Sequence, residues 1–283
     1  MFFADTTFLA AGEEGGFVTQ SLTHSDLSER LGTTITTYSD DGNTLALNVF
    51  NRSEVAVFSK SGSVWSAQQE FGPVETNIGF GQSMELSSDG NTLVVGAYEA
   101  DLPAKNNTGA VYVYTRSGSV WTEQQVINSP NSVANGLFGF SVAISSDGDT
   151  IAIGAQWEST GSEFTATGRA YVYTRSGSVW SLEETFTGAS AGDNMGNTVS
   201  LGGTTGDTLC ITSEKSNSNA ECAVYTRTGT VWTIEQTITQ SAAGIYFGMF
   251  DTTEFDSTGD ILVIGHYGYN GTVTSGGAVY VYT

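Results

Sequence analysis

The sequence has 283 residues, enough for one or two domains with a sizeable core, and its 30 acidic and 9 basic side chains give a net charge of −21. Such an acidic chain repels the phosphates of nucleic acids and the surfaces of anionic membranes. Neither is therefore an expected partner. No apolar run reaches the roughly 18 residues that a membrane-spanning helix needs, which excludes membrane insertion by a helix.

The N-terminal segment MFFADTTFLAAGEEGG has no basic region and too short an apolar stretch for a secretory signal peptide. The next segment, GGFVTQSLT at 15–23, resembles the later segment GSVWTEQQV, with Phe17 and Val18 in place of Val and Trp. It therefore reads as a displaced copy of a strand that recurs further along the chain.

From Leu31 onward the chain repeats one pattern five times, at a period of about 50 residues. Each copy begins with an apolar residue and Gly, as in Phe80-Gly81. It continues with a turn such as SSDGNT and a short apolar run such as LVVGA. An alternating strand such as AVYVY follows, and then a Ser-Gly or Thr-Gly turn leads to a strand that carries Trp. Tight Gly turns between apolar runs predict four antiparallel strands per copy, which we name A to D.

Four-stranded units repeated at this period predict an all-β fold, a five-bladed β-propeller in one domain over residues 1–283. The predicted blades cover about 31–78, 79–136, 137–194, 195–246 and 247–283. The repeated Trp of strand D is expected to cover the gap between neighbouring blades. These residues are Trp65, Trp121, Trp180 and Trp232.

The fifth copy ends at GGAVYVYT, residues 276–283, after its strand C. We expect residues 15–23 to supply the missing strand D, which would fasten the first and last blades together and remove an open sheet edge. The alternative is an incomplete array whose remaining blades lie elsewhere.

Phe-Gly at the start of strand A and Gly-Ala after strand B, as in VVGA at 94–97 and AIGA at 152–155, resemble the FG-GAP repeat. That family builds the integrin α-subunit propeller and many bacterial and viral surface proteins. The resemblance covers about residues 31–283 and implies a propeller used for adhesion or protein interaction. Integrin-type repeats often carry a calcium loop between strands A and B. Here that turn offers too few acidic residues before its Gly, so neither a metal nor a cofactor is expected.

Two further features admit a structural explanation. Cys210 and Cys222 lie on two strands of one hairpin, where a cross-strand disulfide and two buried thiols are both open. The C–D turn repeats a cation, which could form a basic ring on one face. We favour a structural role in which the side chain covers the neighbouring aromatic ring. These cations are Lys60, Arg116, Arg175 and Arg227.

The B–C loops differ between copies and carry aromatic residues beside acidic ones, as binding loops on a rigid scaffold do. Trp157 is the Trp that lies outside the repeated strand D position, so the repeat does not require it. Binding and simple packing are equally open for Trp157. The candidate ligand-binding residues on these loops are Tyr98, Glu99, Trp157, Glu158, Phe164, Tyr267 and Tyr269.

We therefore expect a non-enzymatic binding or adhesion module that recognises a protein or glycan through loops on one face. It would act outside cells or on a virion, as part of a larger assembly, and the missing signal peptide favours the virion. The alternative is a carbohydrate-active enzyme, because five-bladed propellers can house glycosidases and two facing carboxylates suffice chemically. Its candidate carboxylates at the channel mouth are Glu85, Asp251, Glu254 and Asp256. The two histidines, His24 and His266, lie in unrelated segments and form no catalytic pattern.

Overall fold

A computed structural model describes residues 7–11, 17–21, 31–49, 53–73, 79–103, 105–159, 165–214, 220–240, 246–247, 253–267 and 278–283. Within these ranges the side chains of residues 7–11, 17–21, 31–36, 240, 246–247 and 266–267 are not described.

The described residues are all β and form the five blades of a β-propeller, each an antiparallel sheet, which confirms the predicted fold class. Within each blade the strands follow one another from the centre outwards as A, B, C and D. The A strands are β3 (Leu31–Tyr38), β7 (Phe80–Leu86), β11 (Ser141–Ile144), β15 (Val199–Gly202) and β20 (Thr253–Phe255). The B strands are β4 (Thr44–Val49), β8 (Thr92–Ala97), β12 (Thr150–Ala155), β16 (Thr208–Glu214) and β21 (Leu262–Tyr267). The C strands are β5 (Glu54–Ser61), β9 (Ala110–Ser117), β13 (Arg169–Ser176), β17 (Ala220–Thr228) and β22 (Ala278–Tyr282).

The first four blades are completed by a D strand, and these strands are β6 (Val64–Phe71), β10 (Val120–Asn128), β14 (Val179–Thr187) and β18 (Val231–Gln240). In the fifth blade the two-residue β19 (Tyr246–Phe247) pairs with β21 on the same side as β20, and β22 pairs with β21 on the other side. This blade therefore has three strand positions.

The A–B turns fold as the sequence predicts, because a short polar motif closes each of them. In the first blade the Ser39 hydroxyl donates to Asp41 Oδ1 at 2.6 Å, and the Asn43 backbone N–H donates to the same oxygen at 2.9 Å. Gly42 adopts a φ of 66°, which a residue without Cβ reaches without strain. Ser87 and Asp89 repeat the first bond at 2.7 Å in the second blade.

The core lies between the blades rather than within them. Strands β4, β8 and β12 are buried at every position, as expected for central strands covered on both faces. At the first interface, Val55 and Val57 of blade 1 pack in one cluster with Phe80 and Met84 of blade 2. Equivalent clusters join blades 2 and 3, 3 and 4, and 4 and 5.

In blades 2, 3 and 4 the Trp of the D strand donates a hydrogen bond to the preceding blade. The indole N–H of Trp121 donates to Gln68 Oε1 at 2.9 Å, and that of Trp180 donates to Gln124 Oε1 at 2.8 Å. Gln68 and Gln124 are the residues skipped by the β-bulges that interrupt β6 and β10. A bulge re-aims a side chain, and here it turns the acceptor towards the next blade.

The expected closure by residues 15–23 is wrong. The strand β2 (Phe17–Ser21) pairs with β1 (Thr7–Ala11) in a separate antiparallel hairpin, in a register that joins Thr7 to Ser21. Neighbouring segments pair at little cost in loop-closure entropy, whereas pairing with β22 would close a loop of about 260 residues. Among the described strands, β22 pairs with β21 alone.

The two cysteines form a disulfide across β16 and β17, although they are not directly opposite one another. Cys222 pairs in register with Thr212, and Cys210 pairs with Val224, so the bond runs diagonally between Cα atoms 6.2 Å apart. Both residues are fully buried.

Candidate functional site

In blades 2 and 3 the B–C loop pairs with the D–A loop that leads into the next blade, and this pairing makes the surface rigid. Gly109 forms an isolated parallel bridge with Phe138, and Gly168 forms one with Met195. A Cβ at Gly109 would lie 2.0 Å from the Phe138 carbonyl oxygen, so the approach requires glycine. The B–C loops of blades 2 and 3 are therefore held by backbone bonds to the D–A loops beside them.

Glu158 lies on the B–C loop of blade 3, and its side chain is fully buried. It accepts hydrogen bonds from the Ser129 and Tyr171 hydroxyls, and Arg169 Nη1 lies 3.7 Å away. Asn131 Nδ2 donates to the Tyr171 hydroxyl at 2.5 Å. Glu158 thus joins two loops and a C strand, and its carboxylate offers no exposed oxygen atom to a ligand.

Burial and the charge of the Glu158 carboxylate raise the pKa of the two tyrosines near that carboxylate, Tyr171 and Tyr173. Burial raises the pKa of Tyr171 far above its ordinary value, and the neighbouring Glu158 charge raises it further. Burial, followed by the same charge, raises the pKa of Tyr173 to about 12. Both hydroxyls therefore stay protonated at neutral pH, as the hydrogen bond from Tyr171 to Glu158 requires.

Gln156 anchors the other side of the same loop. It is buried, and its Oε1 accepts a hydrogen bond from Asn197 Nδ2 at 2.6 Å. Trp157 therefore stands between two residues whose side chains are fixed to different loops. Its own side chain is partly exposed, and among the described residues its indole has no hydrogen-bond partner. The arrangement presents an indole ring on a backbone that is held on both sides.

Tyr98 lies on the neighbouring B–C loop and is half-buried. Its hydroxyl donates to Gln82 Oε1 at 3.2 Å, and its ring meets the edge of Phe140 at a centroid distance of 5.5 Å. Burial, and secondarily the charge of Glu99, raises the pKa of Tyr98. Tyr98 and the half-buried Glu99 thus form a second, partly accessible part of the same surface.

Three further predicted residues fall where the structure does not describe them. Phe164 and Tyr269 lie outside the described residues, and the side chain of Tyr267 is not described although its backbone ends β21. Their part in a binding site remains a prediction.

The opposite face carries the repeated cations, and their expected structural role is confirmed. Arg116, Arg175 and Arg227 lie over the Trp rings of their own blades, 5.2–5.4 Å from the ring centroids, and Lys60 lies 5.9 Å from that of Trp65. Arg227 also contacts Asp207 at 2.8 Å and Glu183 of the preceding blade at 3.1 Å. The three arginines also contact the preceding blade, so they do not form a free basic ring.

A cavity of about 880 Å³ lies at the centre, where the A strands of all five blades meet. Glu254 and Asp256 line it, while Asp251 lies outside the described residues. Glu85 also lines it, but its Oε2 accepts the Ile144 backbone N–H at 2.8 Å and so ties blade 2 to blade 3.

The carboxylates of this cavity serve the fold in part. Asp256 accepts hydrogen bonds from the Thr258 hydroxyl at 2.6 Å and the Ile261 backbone N–H at 2.9 Å, and these bonds hold its pKa below the ordinary value. A general acid in glycoside hydrolysis needs a raised pKa, so Asp256 does not suit that role. Among the residues that the structure describes, no three His, Cys, Asp or Glu side chains converge as a metal site would require.

Comparison with known families agrees with the repeat pattern. Residues 74–114 and 121–173 match the family model of the FG-GAP repeat. These ranges cover strands A and B and most of strand C in blades 2 and 3, together with the Trp strand of blade 2 from its second residue. No curated protein is similar enough to the chain to count as a match. In the described part of the chain, no helix is both long and apolar enough to cross a membrane.

Proposed function

Because the chain is an FG-GAP repeat β-propeller, we propose that it is a non-enzymatic binding or adhesion module of an extracellular or virion surface. Its ligand is a protein or a glycan on the surface of a cell or virion, and the binding site is the B–C loop surface around Trp157. The fold is compatible with such a module, and the presentation of Trp157 carries the proposal.

The backbone beside the indole is fixed before any ligand arrives. Gln156 is bonded to Asn197 and Glu158 to Ser129 and Tyr171, so residues 156–158 lose little freedom on binding. A Trp contributes a large apolar face together with one N–H donor, which suits both protein surfaces and the C–H faces of sugar rings. Tyr98 supplies a second ring on the adjacent loop.

The net charge indicates the class of partner, and the disulfide indicates the compartment. A net charge of −21 disfavours nucleic acids and anionic lipid surfaces, and favours neutral glycans or basic protein surfaces. The buried disulfide between Cys210 and Cys222 supports a location outside the reducing cytosol, because disulfides persist in oxidising compartments.

The proposal is tested by comparing two variants with the unmodified protein on a glycan array and on intact candidate host cells. Trp157→Ala is expected to weaken binding by about tenfold or more. Tyr38→Ala is the matched control, because Tyr38 is a 69% exposed aromatic residue that lines the central cavity, away from the B–C loops. Circular dichroism and urea unfolding establish that both variants are folded.

Two results would contradict the proposal. Binding that survives Trp157→Ala and is lost in Tyr38→Ala would place the ligand in the cavity. Hydrolysis of a bound glycan that disappears in Glu254→Gln would identify an enzyme instead, because that carboxylate lines the cavity.

A further inference from the structure

The fifth blade differs from the other four at its outer edge, where no D strand is described. Strand β22 has the same sequence, AVYVY, as the start of β9 in blade 2, but it has no D strand beside it among the described residues. In β9, Val111 and Val113 are fully buried in a cluster with Ile127 of the D strand and with residues of blade 3. The equivalent Val279 and Val281 of β22 are 69% and 62% exposed, so this face of β22 is uncovered as well as its edge. The opposite face of β22 shows the same difference, because Tyr280 and Tyr282 are half-buried where Tyr112 and Tyr114 are buried.

Blade 4 carries counterparts of the groups that hold the D strands of blades 2, 3 and 4. The bulge residue of β6, β10 and β14 accepts the indole N–H of the next blade's Trp, through Gln68, Gln124 and Glu183. Strand β18 has a bulge at the same point, and the residue skipped there is Glu235. Glu235 is exposed, whereas the three equivalents in filled positions are half-buried.

In blades 1 and 2 the residue after the bulge is a second holding group. Gln69 Oε1 accepts the backbone N–H of Trp121 at 2.9 Å, and its Nε2 donates to the carbonyl of the same residue at 3.1 Å. Gln125 makes the same two bonds with Trp180, at 2.9 and 3.2 Å. Gln236 is the equivalent residue of β18, and it too is exposed. In blade 1, for example, Gln69 binds the backbone of Trp121 while its neighbour Gln68 binds the indole N–H.

We propose that the outer edge of β22, together with Glu235 and Gln236, is a strand-acceptor site for a partner polypeptide. The partner offers an extended segment that pairs antiparallel with β22 and carries a Trp as its second strand residue. The indole N–H binds Glu235, Gln236 brackets the backbone of that Trp, and the ring covers Tyr282 as Trp121 and Phe71 cover Tyr114 in blade 2. The uncharged sequence of β22 contains none of the Lys or Pro residues that normally blunt an exposed sheet edge.

This site is separate from the B–C loop surface and would join the propeller to a larger assembly. The probe is a synthetic peptide, GSVWTEQQVIN, which copies residues 118–128, with a fluorophore at its N-terminus. The full chain is expected to bind one copy of it saturably, as followed by fluorescence anisotropy. The same peptide with Ala in place of Trp should bind about tenfold or more weakly, as for the loss of a buried aromatic anchor.

The chain provides a matched pair of protein variants. Gln236→Ala removes the bracketing side chain at the position where no D strand is described, and should weaken peptide binding several-fold. Gln125→Ala makes the same change where Trp180 already occupies the position, and should leave peptide affinity unchanged. Val281→Lys places a charge on the 62% exposed face of β22 and should also weaken binding.

Hydrogen exchange on the free protein gives an independent readout. The backbone amides of residues 278–282 should exchange faster than those of residues 110–114, and peptide should slow the exchange. Equal protection of the two strands in the free protein would mean that the chain itself fills the edge, which would overturn the proposal. A scrambled peptide that binds equally well would also overturn it, as would a protein dimer that Val281→Lys dissociates, since a second copy would then be the occupant.

Discussion

Removal of the Glu158 carboxylate should destabilise the propeller more than any change at a neighbouring loop acid. Two hydroxyls donate to this fully buried group and Arg169 lies 3.7 Å from it, so Glu158→Ala leaves the Ser129 and Tyr171 hydroxyls without their acceptor and Arg169 without its counter-ion. Removing one partner of a buried charged pair costs about 3–5 kcal/mol, and a single hydrogen bond to a charged group accounts for about 1.5–3 kcal/mol. We expect a loss of about 3–5 kcal/mol for Glu158→Ala.

The assay is urea unfolding followed by Trp fluorescence, with the free energy of unfolding extrapolated to water. Glu158→Gln keeps the shape and one acceptor oxygen, so it should lose about 1.5–3 kcal/mol and stay folded if the Ala variant does not. Glu99→Ala, at a half-buried acid on the adjacent B–C loop, should change stability by no more than about 0.5 kcal/mol. A loss below about 1 kcal/mol for Glu158→Ala would refute the reasoning, since it would mean that water or a relaxed loop replaces the buried network.

Three further predictions follow from the blade contacts and the buried groups. Gln124→Ala removes the acceptor of the Trp180 indole N–H and should cost about 1–3 kcal/mol in urea unfolding, against at most about 0.5 kcal/mol for the exposed Glu123→Ala. The raised pKa of Tyr173 stabilises the folded state fully below about pH 10 and loses that effect as pH rises towards 12. The free energy of unfolding should fall by about 2–3 kcal/mol between these pH values. In Tyr173→Phe the free energy of unfolding should depend less on pH over the same range. Reducing the disulfide in the unfolded state and refolding with reductant present should lower the free energy of unfolding by about 2–4 kcal/mol, and an unchanged urea midpoint would contradict this.

The blades could be predicted because each strand type repeats with its own turn chemistry. The Asp-Gly turns, the alternating C strands and the Trp strands appear in register along the chain, and blade packing reproduces that register as contacts between Trp121 and Gln68. The Gln residues that hold the backbones of Trp121 and Trp180 belong to the Gln-Gln pairs that follow the Trp in blades 1 and 2. Their function as acceptors needs a β-bulge, and a bulge leaves no local signature in the residues.

The closure and the site could not be predicted in full for two physical reasons. Phe17 and Val18 match the strand D pattern, but strand pairing depends on the competing partner, and β1 lies closer along the chain than β22. Glu158 and Glu99 look alike in sequence, each an acid beside an aromatic residue on a variable loop. Their environments differ because Ser129, on a distant loop, and Tyr171, on a C strand, donate hydrogen bonds to the first of them.

The central claim is that the indole of Trp157 contacts the ligand, and the chain's five Trp residues allow this to be measured directly. Protein labelled with ¹⁵N at the indole nitrogens is titrated with the glycan or protein ligand selected by the binding screen, and the five indole N–H signals are assigned by single Trp→Phe variants. We predict that the Trp157 signal shifts saturably while those of Trp65, Trp121, Trp180 and Trp232 stay in place. A Trp157 signal that does not move at saturating ligand would contradict it.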